Sequence, residues 1–174
     1  MIYKVTGKQP NSKMCFVCGL KNKFGLNASF YETDNNELVA LFKPCQKHQG
    51  YPGRLHGGIA AAILDETIGR TITMGKDDEI WGVTLEFSIK YKKPIPLNEE
   101  IKVIAKLTDE DKRLFKGTGK IILPSGEVGA TAEGKYLRMP IEKIADFDRD
   151  ANEWRVVESA TDPESIEIPF YKSL

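Results

Sequence analysis

The chain has 174 residues, one domain's worth of sequence. Its 41% hydrophobic and 29% charged residues are ordinary for a globular protein, and 25 basic against 25 acidic side chains leave no bulk field for nucleic acid or an anionic membrane surface. No apolar run approaches the roughly 18 residues of a membrane span, and Met1 to Gly7 lacks the apolar core of a secretory signal. The expected address is therefore the cytoplasm, with the three cysteines reduced.

Residues 1–14 are polar, contain Pro10-Asn11-Ser12 and read as a loose arm. Cys15 and Cys18 follow as C-x-x-C, and Cys45 with His48 forms C-x-x-H further on. Phe24 to Tyr31 and Leu38 to Phe42 read as strands joined by the turn Thr33-Asp34-Asn35-Asn36. An antiparallel hairpin brings the start of its first strand beside the end of its second. Cys15, Cys18, Cys45 and His48 would then be neighbours, a donor set able to hold a structural zinc. The alternative is that the cysteines are small buried hydrophobes and His48 faces a cleft or solvent. Gln46 to Pro52 is the loop entering the next element.

Gly57-Gly58-Ile59-Ala60-Ala61-Ala62-Ile63-Leu64 carries no formal charge and runs into Asp65 and Glu66. The composition predicts a central helix from Gly57 to about Met74, apolar on most sides. On a helical wheel Asp65 shares a face with Gly58, Ala61, Ala62, Gly69 and Ile72, one acid among mostly small side chains. Glu66 points about 100° away and stands four residues before Arg70, the favourable order for an ion pair. Asp65 therefore reads as functional and Glu66 as structural. The first amides of the helix, after His56, lack intrahelical partners and can polarise a carbonyl, while Gly57 and Gly58 permit close approach. An oxyanion site and an acid on one helix are the parts needed to attack an acyl carbonyl.

After the polar turn Gly75-Lys76-Asp77-Asp78-Glu79, four strands are expected: Val83 to Tyr91, Glu99 to Leu107, Leu114 to Leu123 and Glu127 to Arg138. Gly117 and Gly119 lie inside a strand with no helix after them. They mark a bulge or close packing rather than a phosphate loop. Ile141, Ile144, Phe147, Ala151 and Trp154 approximate a helical stripe, so a further helix docking on the sheet or on another subunit is expected, with Pro163 and Pro169 making the last dozen residues extended.

The run Gly53, Leu55, His56-Gly57-Gly58 and Asp65, followed by Gly82-Val83-Thr84-Leu85-Glu86-Phe87-Ser88-Ile89-Lys90-Tyr91-Lys92-Lys93-Pro94, resembles the hotdog-fold acyl-CoA thioesterases of the phenylacetate-pathway (PaaI-like) family. Cys15-Phe16-Val17-Cys18-Gly19, Asn22 and Gly25-Leu26 are similar to the opening of one bacterial subgroup. The resemblance covers roughly residues 15–138 and implies an α+β hotdog fold, a long helix wrapped by a six-stranded antiparallel sheet, with residues 139–174 as an extension. It implies hydrolysis of an acyl-CoA thioester without a catalytic cofactor. The Gly57 amide, aided by His56, would polarise the carbonyl, with Asp65 as general base or nucleophile and Thr84 orienting water. Gly58 would line the acyl site, and the group orienting the thioester is open between Gln49, His48 and His56. Lys90, Lys92 and Lys93 correspond to positions near CoA phosphates. In the family, Asp65 and Gly57 meet across a dimer interface, implying an obligate homodimer paired into a tetramer. A non-catalytic acyl-CoA binding or sensing protein is the rival reading; a buried carboxylate, costly to desolvate, favours the enzyme.

Overall fold

The computed structural model describes residues 1–76 and 79–169. Its strands are β1 Ile2–Lys8, β2 Ser29–Thr33, β3 Leu38–Phe42, β4 Ile80–Tyr91, β5 Ile101–Glu110, β6 Leu114–Ile122, β7 Val128–Pro140 and β8 Ser165–Glu167, and α1, the one α-helix among the described residues, spans Gly57–Gly69. The strands make one antiparallel sheet in the order β4-β7-β6-β5-β3-β2-β1-β8. The helix-and-antiparallel-sheet architecture is the expected one. The sheet has eight strands among the described residues rather than six.

The two additional strands come from the chain ends. Residues 2–8 are no loose arm: Tyr3 is buried, and β1 pairs with β2 on one side and β8 on the other. Its apolar residues are few, but Tyr3 joins Tyr31, Val39, Ile104, Ile122, Ile166 and Ile168 in a small second core. The anticipated C-terminal helix does not form. Ile141–Lys143 makes one 3₁₀ turn, after which Asp148 accepts hydrogen bonds from the amides of Asp150 and Ala151. Such side-chain bonds favour turns over helix. Phe147 and Trp154 instead close on Trp81, with ring centroids 5.3 and 4.6 Å away. β8 is extended between Pro163 and Pro169; residues 170–174, and Asp77 and Asp78 of the predicted turn, lie outside the described residues.

The main core lies between α1 and one face of the sheet. Ala60, Ile63, Leu64 and Ile68 of the helix meet Phe30, Leu38, Val103, Phe115, Ile121 and Tyr136, all essentially inaccessible; burying each large apolar side chain contributes about 1.5–3 kcal/mol. The glycines of β6 allow this approach: a Cβ on Gly117 would stand 2.6 Å from Ile68 Cγ2, and one on Gly119 3.0 Å from Ile68 Cγ1. Their role is close packing. The α-helix ends at Gly69, short of Met74, and continues as a 3₁₀ turn over Arg70–Thr73. Thr71, Ile72 and Thr73 are β-branched, and the threonine hydroxyls bond the carbonyls of Ile68 and Arg70. Strand β2 begins at Ser29 rather than Phe24, because Asn27 has φ 50° and Leu26 and Ala28 run beside the C-x-x-C turn, their amides on the carbonyls of Phe16 and Val17.

Candidate active site

The helix start is built by its own loop. His56 is the N-cap, and its Nδ1 accepts the Gly58 N–H at 2.9 Å, which leaves the ring proton on Nε2. The carbonyl of Gly57 accepts from Tyr91 Oη at 2.7 Å, fixing the last residue of β4 against the first turn of the helix. Among the described residues the Gly57 amide makes no hydrogen bond, as expected of the first helical N–H. A Cβ there would lie 3.3 Å from Tyr91 Oη, so the site favours glycine through space rather than through φ.

Two turns on, Asp65 is partly buried and held by two hydroxyls. Thr84 Oγ1 donates to its carboxylate at 3.0 and 3.2 Å, and Tyr136 Oη stands 3.0 Å from Oδ1 and 3.2 Å from the Asp65 carbonyl oxygen. Burial raises the Asp65 carboxyl above its ordinary range; the Tyr136 and Thr84 hydrogen bonds pull it down without cancelling that effect, and Glu66 raises it further. The same burial, followed by the neighbouring Asp65 charge, pushes the Tyr136 phenol up, keeping it a donor.

A β-bulge aims Thr84. The β4–β7 register shifts between Thr84 and Glu86, so side-chain parity changes there. Before the shift, Gly82 and Thr84 face the helix; after it, Phe87, Ile89 and Tyr91 do. Tyr136, 1% exposed and stacked on Phe115 at 4.9 Å, was not singled out by the sequence reading, which saw only a β7 strand residue. Its one available signal was a polar-tipped aromatic at a core position of a strand.

The other candidates divide. His48 is buried, its Nδ1 accepting from the Cys45 amide at 3.0 Å and its Nε2 lying 3.1 Å from the Phe24 carbonyl, so it braces two loops. Gln49 is exposed and its Oε1 accepts from the Gly53 amide at 2.8 Å. Lys90 lies with Ser88 along a groove beside Ile104 and Thr131, Lys93 pairs with Glu127, and Lys92 follows the strand end.

The four zinc candidates also separate. Cys15 and Cys18 come together with Glu66, not with Cys45 and His48, among the described residues. The C-x-x-C turn packs against α1, while the His48 nitrogens are occupied in their own loop. The Glu66–Arg70 pair forms as expected, with Arg70 Nε and Nη2 on Oε1 at 3.0 and 2.8 Å. The guanidinium lies 4.2 Å from the Phe30 ring and 5.0 Å from the Trp154 ring. The hydrogen bond from Cys18 brings the Cys15 thiol down to about 7 against the opposing effect of burial, and the same bond, with burial, raises Cys18.

One helix on an antiparallel sheet, with glycines at its start and an acid two turns along, is the hotdog thioesterase architecture. A sequence model of the thioesterase superfamily matches residues 52–130. Acyl-coenzyme A thioesterase THEM4 of Rattus norvegicus is 34% identical over 110 residues, 62% of this chain and 46% of that protein. Acyl-coenzyme A thioesterase THEM5 of Homo sapiens is 28% identical over 115 residues, 66% of this chain and 45% of that protein. The chain thus spans a little under half the length of these curated relatives. The crystal structure of a thioesterase superfamily protein superposes with TM-score 0.64 at 27% identity, over 71% of this chain and 59% of that one. Residues 52–130 thus match the thioesterase superfamily, and the helix-on-sheet fold agrees with that match.

Proposed function

We propose that the chain hydrolyses acyl-CoA thioesters at a site assembled from two copies of itself. The observation that carries the reading is Asp65: a carboxylate raised by burial, yet aimed by Thr84 and Tyr136, is suited to accept a proton from water. Asp65 takes a proton from water attacking the thioester carbonyl, the Gly57 amide receives the developing oxyanion, and the carbon–sulfur bond breaks to give the acid and CoA thiol.

Within one chain these parts are separated. Eight residues of α-helix put Gly57 and Asp65 about 12 Å apart, beyond the reach of one carbonyl. A two-fold partner would bring the Gly57 of one copy to the Asp65 of the other. Strand β4 supports that arrangement: it is the end strand of the sheet, pairs only with β7 among the described residues, and exposes Leu85 and Tyr91. CoA is the expected carrier because the curated relatives are named for it.

The test is thiol release across acyl-CoAs from acetyl to palmitoyl, with phenylacetyl and hydroxybenzoyl, for wild type and Asp65→Asn, beside light scattering. Wild type should turn over as a dimer or larger, and the variant should lose at least ~100-fold. Binding of a non-hydrolysable analogue by both proteins without turnover by either would make it a binding protein, and a monomer that turns over would remove the shared site.

A further inference from the structure

On the flank of α1 next to the Asp65 face, the side chains of Cys15, Cys18 and Glu66 place one ligand atom each within 4.8 Å of one another. Cys15 Sγ is 3.6 Å from Glu66 Oε2 and 3.9 Å from Oε1. The sulfur–oxygen edge of a tetrahedral zinc site, with bonds of about 2.3 and 2.0 Å, is of that length. Nothing in the proposed thioesterase chemistry uses these groups.

We propose that Cys15, Cys18 and Glu66 form a thiolate-rich binding site for zinc or a similar divalent transition metal. Four independent features of the surroundings support a metal over a bare dithiol.

The turn is shaped as a chelate. Cys15 Sγ accepts the Val17 amide at 3.3 Å, and the Gly19 amide bonds the Cys15 carbonyl at 2.9 Å, so the two sulfurs are held on one side of a closed loop. Gly19 is required there: a Cβ would lie 2.3 Å from the Cys15 carbonyl oxygen. Backbone N–H groups directed at a sulfur stabilise a thiolate ligand.

The carboxylate is divided between two tasks. Both Arg70 contacts fall on Oε1, while Oε2, the oxygen nearer Cys15, receives no hydrogen bond from Arg70. A second-layer cation on one oxygen, with the other turned to the metal, is how outer contacts orient a ligating carboxylate. Arg70 also balances charge, since two thiolates, one carboxylate, a dication and the guanidinium together are neutral.

The second sulfur has its own support. Ser12 Oγ is 3.3 Å from Cys18 Sγ and accepts the Cys15 amide at 3.2 Å, so its hydroxyl proton is free to point at the sulfur. Cys18 is wholly inaccessible, and a charged sulfur at that depth needs a compensating cation.

Finally, a cavity of about 300 Å³ opens onto these residues, walled by Met14, Trp81, Phe147 and Trp154. It leaves room for a water as fourth ligand. Glu66, beside both sulfurs, adds negative charge that favours a dication there.

The test uses the whole chain, purified without chelator, reduced, and then titrated with Co²⁺ as a spectroscopic probe and with Zn²⁺ against a chromophoric chelator. Wild type should bind close to one equivalent, with intense d–d bands of tetrahedral cobalt and a sulfur-to-cobalt charge-transfer band in the near ultraviolet. Cys18→Ser should abolish the charge-transfer band or reduce it by about half, Glu66→Gln should weaken Zn²⁺ at least ~10-fold, and Cys45→Ser should match wild type. Circular dichroism of each variant separates ligand loss from unfolding, and the wild-type spectrum stands without them. Reduced wild type that shows no charge-transfer band, or a Cys45→Ser variant that loses the metal equally, overturns the assignment. So does isolation as a Cys15–Cys18 disulfide that takes up no cobalt after reduction.

Discussion

The two hydroxyls on Asp65 make separable contributions to its proton affinity, which a pH–rate profile can read. Tyr136→Phe keeps the ring that stacks on Phe115 and removes only the oxygen 3.0 Å from Oδ1. A hydrogen bond to a charged group is worth about 1.5–3 kcal/mol, and this one is buried. Its loss destabilises the carboxylate, so the proton binds more tightly and the acid limb of kcat/KM moves to higher pH. On that limb the rate follows the carboxylate fraction, so about 1.5 kcal/mol appears as roughly tenfold lower kcat/KM; above the limb the same cause has no effect. Thr84→Val removes an exposed donor that water can replace, so its limb should move the same way with about a two- to threefold loss. The assay is thiol release against pH for wild type and both variants. Acid limbs that stay in place, or that move to lower pH, would refute the view that these hydroxyls stabilise a working carboxylate.

Three further outcomes are expected. The raised folded-state Asp65 carboxyl means that its ionisation costs stability as pH climbs from the ordinary carboxylate range through the raised value, so Asp65→Asn should melt above wild type at neutral pH, with the gap closing in acid. Gly117→Ala should destabilise by about 1–3 kcal/mol in urea titration, since its Cβ would stand 2.6 Å from Ile68 Cγ2 and 3.0 Å from the Lys106 carbonyl oxygen. His56→Ala removes the cap on the Gly58 amide and should cost about 1 kcal/mol in the same titration.

The legible parts of the chain were those where a local pattern and a tertiary role coincide. The alanine run marked the helix because alanine is the best helix former, the glycine pair marked its start, Asp65 stood out as a misplaced charge, and β5 declared itself through alternating apolar residues. Glu66 and Arg70 were readable because their partnership is a matter of spacing along one helix. Tyr136 was not, since its value depends on Asp65, 71 residues away. Nor was Cys15's neighbour: spacing suggested Cys45 and His48, but the loop residues 26 and 28 turn the C-x-x-C onto the helix instead. β1 is a short, half-polar segment with one pairing partner, β8, at the far end of the sequence, and Phe147 and Trp154 mimicked a helical period while serving a loop that folds over Trp81.

The register shift in β4 gives one strand two reading frames. Upstream of Leu85 the inward frame belongs to the proposed site, with Thr84 on Asp65; downstream it belongs to assembly of the core, with Phe87 and Ile89 packed inward and Tyr91 anchoring the helix start. Removing the extra residue would force a choice between them, because a strand in a single frame cannot present both sets to the helix. A one-residue deletion at Leu85 is thus a different kind of lesion from any substitution there: it would put the half of the strand that holds Asp65 and the half that packs the core in competition for one face.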